Sequence, residues 1–174
     1  MEILYIVTGA AGHLGNVITR QLINRGNHVR ALVLMNEKHT PEKAELYFGD
    51  VRNKAVYDVN VTGTKNVVDL CIEYNASKLV YVSSVHAIPE KPKGITITEI
   101  REFNPDNVTG LYAKTKAEAT SYVLDAARKG LNACVVHPSG ITGHCDYGRG
   151  HITTLVVDYY KGRLTSGVSG GYVL

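Results

Sequence analysis

The chain has 174 residues, of which 44% are hydrophobic and 20% charged, with a formal net charge of +3. That length supports one domain with a real core, and the composition is that of an ordinary globular protein. The basic residues are scattered without a run of like charge, which excludes an electrostatic footprint for nucleic acid.

The chain enters a strand at once: Ile3-Leu4-Tyr5-Ile6-Val7 is a short apolar run of the kind buried on both faces of a parallel sheet. With no basic stretch and apolar core ahead of it, no signal peptide is read, and no apolar run is long enough to span a bilayer, so a reducing cytoplasmic compartment is the expectation. Thr8-Gly9-Ala10-Ala11-Gly12-His13-Leu14-Gly15 follows. Glycines in that spacing permit a tight turn (Gly9), close backbone approach to a pyrophosphate (Gly12) and close helix packing (Gly15). Alone the triplet is a weak signal, since Gly-rich turns are common. Leu14, Val17, Ile18 and Leu22 then fall on one helix face, Gly26 closes the helix, and Val29 to Met35 reads as a second strand. Strand, glycine turn, helix and strand are the context that the motif requires.

An acid at the end of the second strand would select NAD, and an arginine there NADP. Leu34-Met35-Asn36-Glu37-Lys38-His39 has neither in the expected place, so the choice between NAD and NADP stays open. Ala44 to Phe48 reads as a third strand and ends in Gly49-Asp50-Val51. That is a plain turn, or an adenine contact in which Asp50 accepts from the amino group and Val51 packs on the ring. Thr64, Val67, Val68, Cys71 and Ile72 keep helical spacing, with Asn60 at the helix start, where an asparagine caps. Leu79 to Val82 reads as a buried strand ending in Ser83-Ser84. Residues 88 to 110 form a long loop rich in proline and glycine. Tyr112 to Lys129 is a helix, Leu131 to Val136 a strand, and Ile152 to Tyr160 a helix. Cys71 and Cys134 lie in apolar periodic segments and are read as buried thiols; with Cys145 they form neither a disulfide framework nor metal-type spacing, so no metal is expected.

Three groups carry chemistry. Tyr112 and Lys116 are four apart and share a helix face, and Ser84 ends the preceding strand. A lysine ammonium near a tyrosine hydroxyl favours the phenolate and brings a tyrosine pKa of about 10 toward neutrality. Such a tyrosine can protonate a carbonyl oxygen or deprotonate an alcohol, while a serine hydroxyl orients the same oxygen. Tyr-x-x-x-Lys also arises by chance, and Ser83-Ser84 can simply terminate a strand. The glycine turn is what makes the three residues a set.

The chain resembles an extended short-chain dehydrogenase/reductase of the NAD-dependent epimerase/dehydratase superfamily. The likeness rests on the glycine turn, Gly49-Asp50-Val51, Asn60-Val61-Thr62-Gly63-Thr64-Lys65-Asn66-Val67, Val82-Ser83-Ser84, Tyr112-Ala113-Lys114-Thr115-Lys116 and His137-Pro138-Ser139-Gly140, in family order. Tyr-Val-Ser-Ser-Val-His and the Gly-rich loop from Ile141 to His151 resemble the dihydroflavonol reductase branch, while Ala87-Ile88-Pro89 and His137 stand where nucleotide-sugar epimerases carry Val-Tyr-Gly and arginine. The resemblance implies a Rossmann-type, doubly wound parallel sheet over residues 1–174, with NAD or NADP as cofactor. It implies Ser84, Tyr112 and Lys116 as the catalytic residues. Cofactor contacts are implied for Gly9, Ala11, Gly12, His13, Leu14, Gly15, Asp50, Val51, Ser83, Tyr112, Lys116, His137, Pro138 and Ser139. Asn60 is implied as a support of the catalytic helix, and the implied partners are a small carbonyl or alcohol substrate and a second copy of the chain, held through the Tyr112 helix and the Asn60 to Tyr74 helix.

One departure bears on the fold. Asp50 and Asn60 are ten positions apart, where the family holds a helix and a fourth strand, so about thirty residues and much of a C-terminal substrate domain are expected to be missing from this sequence. A sheet lacking that strand would leave unpaired backbone groups at its centre, which is costly if buried. The leading function is an oxidoreductase reducing a carbonyl or oxidising an alcohol. The alternatives are an epimerase or dehydratase of the same superfamily, and a non-catalytic NAD(P)-binding regulator or scaffold.

Overall fold

A computed structural model of the chain describes residues 3–49, 58–92 and 94–164. The chain divides into two compact units, Met1–Asp50 with Gly140–Leu174, and Val51–Ser139.

In the first unit, β1 (Leu4–Thr8), β2 (His28–Val33) and β3 (Glu45–Phe48) form a parallel sheet in the order β1-β2-β3. Leu4 pairs with His28 and Thr8 with Leu32; Arg30 pairs with Glu45 and Val33 with Phe48. β2 is central, and its Val29, Ala31 and Val33 are buried. Helix α1 (His13–Asn24) connects β1 to β2, and Gly26, with φ of +81°, turns the chain out of it. The apolar stripe expected on α1 is only half of what the helix buries. Asn16 and Thr19 are fully buried and Ile18 is exposed. Asn16 tolerates this because its amide is satisfied: Nδ2 donates to His39 O at 2.8 Å and Oδ1 accepts from Arg20 Nε at 2.7 Å. The core of the unit is Ala10, Ala31 and Val33, with Val7, Ala11, Ala44 and Leu46 packed around them. Helix α4 in chain order (His151–Tyr160) belongs to the same unit.

In the second unit, a π-helical turn (Asp58–Thr62) leads into α2 (Gly63–Glu73). Strands β4 (Leu79–Val82) and β5 (Ala133–Val136) are parallel, from Leu79 opposite Ala133 to Val82 opposite Val136. Two 3-10 turns, Val85–Ala87 and Pro105–Asn107, precede α3 (Leu111–Arg128). Small buried residues on α3, among them Ala113, Ala117, Ala119 and Ala126, let it pack closely on its neighbours. Val68, Val123 and Ala126 pack with Leu79, Tyr81, Ala133 and Val135. A second cluster, Ala87, Ile88, Phe103, Val108, Ala113 and Ala117, anchors the long 88–110 loop to α3.

Two expectations are corrected. β1 is not buried on both faces, since burial alternates along it and Ile6 is 70% exposed. One face of the strand faces the core, and the other has no layer over it among the described residues. Cys134 is exposed and Cys71 half-buried, because each lies on the side of its element away from the core. The parallel sheet expected is present, its five described strands paired as a set of three and a set of two. β1 pairs with β2 alone and β4 with β5 alone, so each keeps a bare edge among the described residues. Parallel strands joined by helices in each unit are those of a Rossmann-type α/β fold. Asp50, Val51 and the peptide continuity of 51–57 lie outside the described residues.

Candidate active site

The glycine turn is built for close approach. Gly9 has φ of +64°, a conformation that favours glycine, and its carbonyl accepts from Gly12 N–H at 3.0 Å. A Cβ on Gly15 would lie 2.3 Å from Gly9 O, so α1 packs on the turn at a distance no side chain permits. The first turn of α1 has neither a side-chain cap nor an acidic residue. Its amides are thus left to an anion, and the residues present fit a pyrophosphate. Ala11 and Leu14 are half-buried beside the turn. His13 Nε2–H donates to His144 O at 3.0 Å, so the glycine-rich loop after residue 140 is tied to α1. Glu37 and Lys38, at the point that would choose the cofactor, are both exposed.

In the second unit the predicted residues converge on the end of β4. Ser83 is buried. Its N–H donates to Val136 O at 2.9 Å, and its hydroxyl lies 2.7 Å from Thr120 Oγ1. Thr120 commits its own proton to Lys116 O at 2.7 Å, so Ser83 is the donor. The Ser83 hydroxyl proton is therefore given to α3. Ser84 differs. Its Oγ accepts from His86 N–H at 3.2 Å, which leaves the hydroxyl proton free to donate. The Ser84 carbonyl accepts from His137 Nδ1–H at 2.9 Å, and the His137 ring stacks on Phe103 with centroids 5.1 Å apart. Pro138 O accepts from Val85 N–H at 3.1 Å, while Ser139 is exposed. The His137-Pro138 segment is thus fixed against the turn that follows Ser84.

Tyr112 stands in the first turn of α3 and is 48% exposed. Its ring meets the His86 ring edge to face, with centroids 6.1 Å apart. Lys116, one turn on, donates from Nζ to Val82 O at 3.4 Å and lies 5.6 Å over the Tyr81 ring. Burial holds its ammonium below the ordinary lysine pKa. Asn60 is not a helix cap. It sits in the π-helical turn, its Nδ2 donates to Thr115 Oγ1 at 3.0 Å, and Thr115 Oγ1 donates to Tyr112 O at 2.9 Å. Thr64 Oγ1 donates to Asn60 O at 2.6 Å. The turn thereby holds the start of the Tyr112 helix.

Sequence reasoning missed four participants: His86, Tyr81, Thr115 and Thr120. Two of them had a usable signal. Strand alternation puts Tyr81 on the same side as Ser83, and Thr115 is three residues from Tyr112, within reach of its carbonyl. No group of His, Cys, Asp and Glu able to hold a metal exists among the described residues, and no described helix is long and apolar enough to cross a membrane.

Comparison with known proteins adds a lineage to this geometry. The model of the 3-beta hydroxysteroid dehydrogenase/isomerase family matches residues 39–168. The chain is 26% identical to sterol demethylase protein B of Methylococcus capsulatus, over 96% of this chain and 60% of that protein. It is 27% identical to human 3 beta-hydroxysteroid dehydrogenase type 7, over 95% of this chain and 56% of that protein. The dTDP-glucose 4,6-dehydratase of Bacillus anthracis, solved in complex with NAD, shares the fold with a TM-score of 0.76 at 20% identity, over 92% of this chain and 62% of that one. The chain thus spans less than two thirds of the length of these relatives. The match to sterol demethylase protein B runs over 198 positions, more than the 174 residues of this chain, so part of the relative's matched span has no counterpart here.

Proposed function

The chain belongs to the 3-beta hydroxysteroid dehydrogenase/isomerase family, and from that membership we propose that it serves an NAD(P)-dependent oxidoreductase that reduces a carbonyl or oxidises an alcohol. The observation that carries the reading is the junction of the Ser84 turn with α3: His86, which caps onto Ser84 Oγ, also lies against the Tyr112 ring. A free serine proton and a half-exposed tyrosine are thereby presented on adjacent elements, with a half-buried ammonium one turn behind.

The glycine turn, from Gly9 to Gly15, would hold the pyrophosphate, and His137, Pro138 and Lys116 would border the nicotinamide end. The nicotinamide, when bound, donates or accepts the hydride. Ser84 donates to the substrate oxygen and fixes its place. Tyr112 gives that oxygen its proton in reduction and removes it in oxidation. Lys116 keeps positive charge beside the phenol, which favours the phenolate left after proton transfer. Relatives named as hydroxysteroid dehydrogenases make 3-oxo and 3-hydroxy steroids the first compounds to try. We place the protein in the cytoplasm and expect a homodimer that covers the exposed Leu70, Ile72 and Tyr74 at the end of α2.

The test is consumption of NADPH or NADH, followed by absorbance, with a panel of ketones that includes 3-oxo steroids. Tyr112→Phe keeps cofactor binding and loses turnover by about 10²-fold or more, the usual size of a lost general acid/base. Near-normal turnover in that variant would overturn the reading. Turnover of a sugar nucleotide with no net change in the cofactor would replace it by the epimerase or dehydratase alternative.

A further inference from the structure

Lys116 is held in an unusual way for a half-buried cation. Among the described residues the ion pairs all lie elsewhere, and none of these carboxylates pairs with it. Its hydrogen bond to Val82 O is long, at 3.4 Å, and one carbonyl leaves two N–H donors over. What lies beneath the ammonium is the face of Tyr81, with Nζ 5.6 Å from the ring centroid. A cation within about 6 Å of an aromatic face is attracted by the ring quadrupole, more strongly where water is excluded.

Tyr81 is suited to that role by its ring and not by its hydroxyl. The hydroxyl is buried, and it makes no well-formed hydrogen bond among the described residues, with Thr64 the side chain beside it. Thr64, the hydroxyl on α2 that acts on it, has committed its proton to Asn60 O. Burial and the neighbouring Tyr112 charge, on α3, both raise the Tyr81 pKa. The phenol therefore stays neutral, and it meets Lys116 as a π-face rather than as an anion. Alternation along β4 fixes the ring's direction, because Tyr81 shares its side with Ser83, which bonds Thr120 on α3.

We propose that Tyr81 is a positioning residue whose aromatic face seats the Lys116 ammonium at the end of β4. The inference deepens the oxidoreductase reading, in which Lys116 serves Tyr112, but its measurement needs no turnover.

The experiment uses the full chain carrying Tyr81→Phe, followed by phenylalanines with one, two and three ring fluorines at the same position. Fluorine drains the π-face while leaving the shape of the ring nearly unchanged. Lys116 is followed by NMR titration of its labelled ε-carbon, identified by the signal that Lys116→Met removes. Tyr81→Phe titrates as the wild type does. Each added fluorine then makes the ammonium easier to deprotonate, by about three- to tenfold across the series, the range expected for one cation–π contact. A packing role alone gives a flat series, and a flat series overturns the proposal, as does an unchanged Lys116 midpoint in Tyr81→Leu. If Tyr112→Phe keeps full turnover while the fluorine series still slopes, the oxidoreductase reading falls and the seat of Lys116 stands.

Discussion

At the scale of single residues, function and stability pull against each other at Lys116. Its ammonium is disfavoured by burial, so its pKa in the folded chain lies below the unfolded value. The sign follows from linkage. Below the folded pKa both states carry the proton, and the folded state bears the full penalty. As pH rises through the folded pKa toward the unfolded value of about 10.4, the unfolded chain binds more protons and stability increases. Lys116→Met should therefore raise the melting temperature at pH 7, by on the order of 2 °C given the partial exposure of the side chain. The gain shrinks at alkaline pH, where the wild type sheds the same charge. Melts at pH 7 and pH 10 check both parts; a lower melting temperature at pH 7 would show that the π-face and the Val82 carbonyl more than offset the desolvation. The sequence singled out Ser84, Tyr112 and Lys116 because acid/base chemistry at a carbonyl would need those residue types at that spacing. It did not show that Ser83 is consumed by Thr120 or that Tyr81 underlies Lys116, since both depend on how β4 and α3 meet. That meeting is set by small residues such as Ala113 and Ala117, which carry no chemical signature.

At the scale of elements, the site depends on a junction between the π-helical turn and α3. Thr115 is the hinge of that junction. Its hydroxyl accepts from Asn60 Nδ2 and donates to Tyr112 O, so both of its roles are used. Thr115 is also buried, at 1% exposure, which makes an unpaired group there expensive. Thr115→Val should cost about 1–3 kcal/mol, because it strands the Asn60 amide. Asn60→Ala removes the same bond from the other side, so the double variant should be less destabilised than the sum of the single ones, by about 1 kcal/mol. Chemical denaturation of the four proteins measures this, and strict additivity would show that the contact contributes nothing. The helices and strands themselves were legible to within a few residues, since apolar periodicity and the glycines at 26, 110 and 130 mark their bounds. The π-helical turn was not, because its sequence reads equally well as a capped helix start. An asparagine that caps and one that reaches across to a neighbouring helix look the same in a single sequence. The polar burial on α1 was hidden for a related reason: Asn16 and Thr19 look like a solvated face until the loop carrying His39 is seen to fold over Asn16.

At the scale of the whole molecule, the question is whether the sheets are finished by residues of this chain. Two observations bear on it independently. The strands β1 and β4 each keep a bare edge among the described residues, and the match to sterol demethylase protein B is longer than the chain. The spacing between Asp50 and Asn60 had already pointed to a lost strand, which is legible because a Rossmann half cannot cross from one motif to the next in ten residues. A layer that covered β1 in the relatives would leave apolar residues stranded here, and Ile6, at 70% exposure, fits that description, whereas Val29 on the neighbouring β2 is buried, at 2%. The pair supplies a direct comparison. Ile6→Thr keeps the β-branch and should change stability by no more than about 0.5 kcal/mol, as for other exposed positions. Val29→Ala should cost about 2 kcal/mol through lost packing. Both are read from denaturant midpoints of the intact chain. Equal costs would mean that this face of β1 is covered in solution, as by a second copy of the chain. A cost confined to Val29 would mean that β1 stands with one face open to solvent.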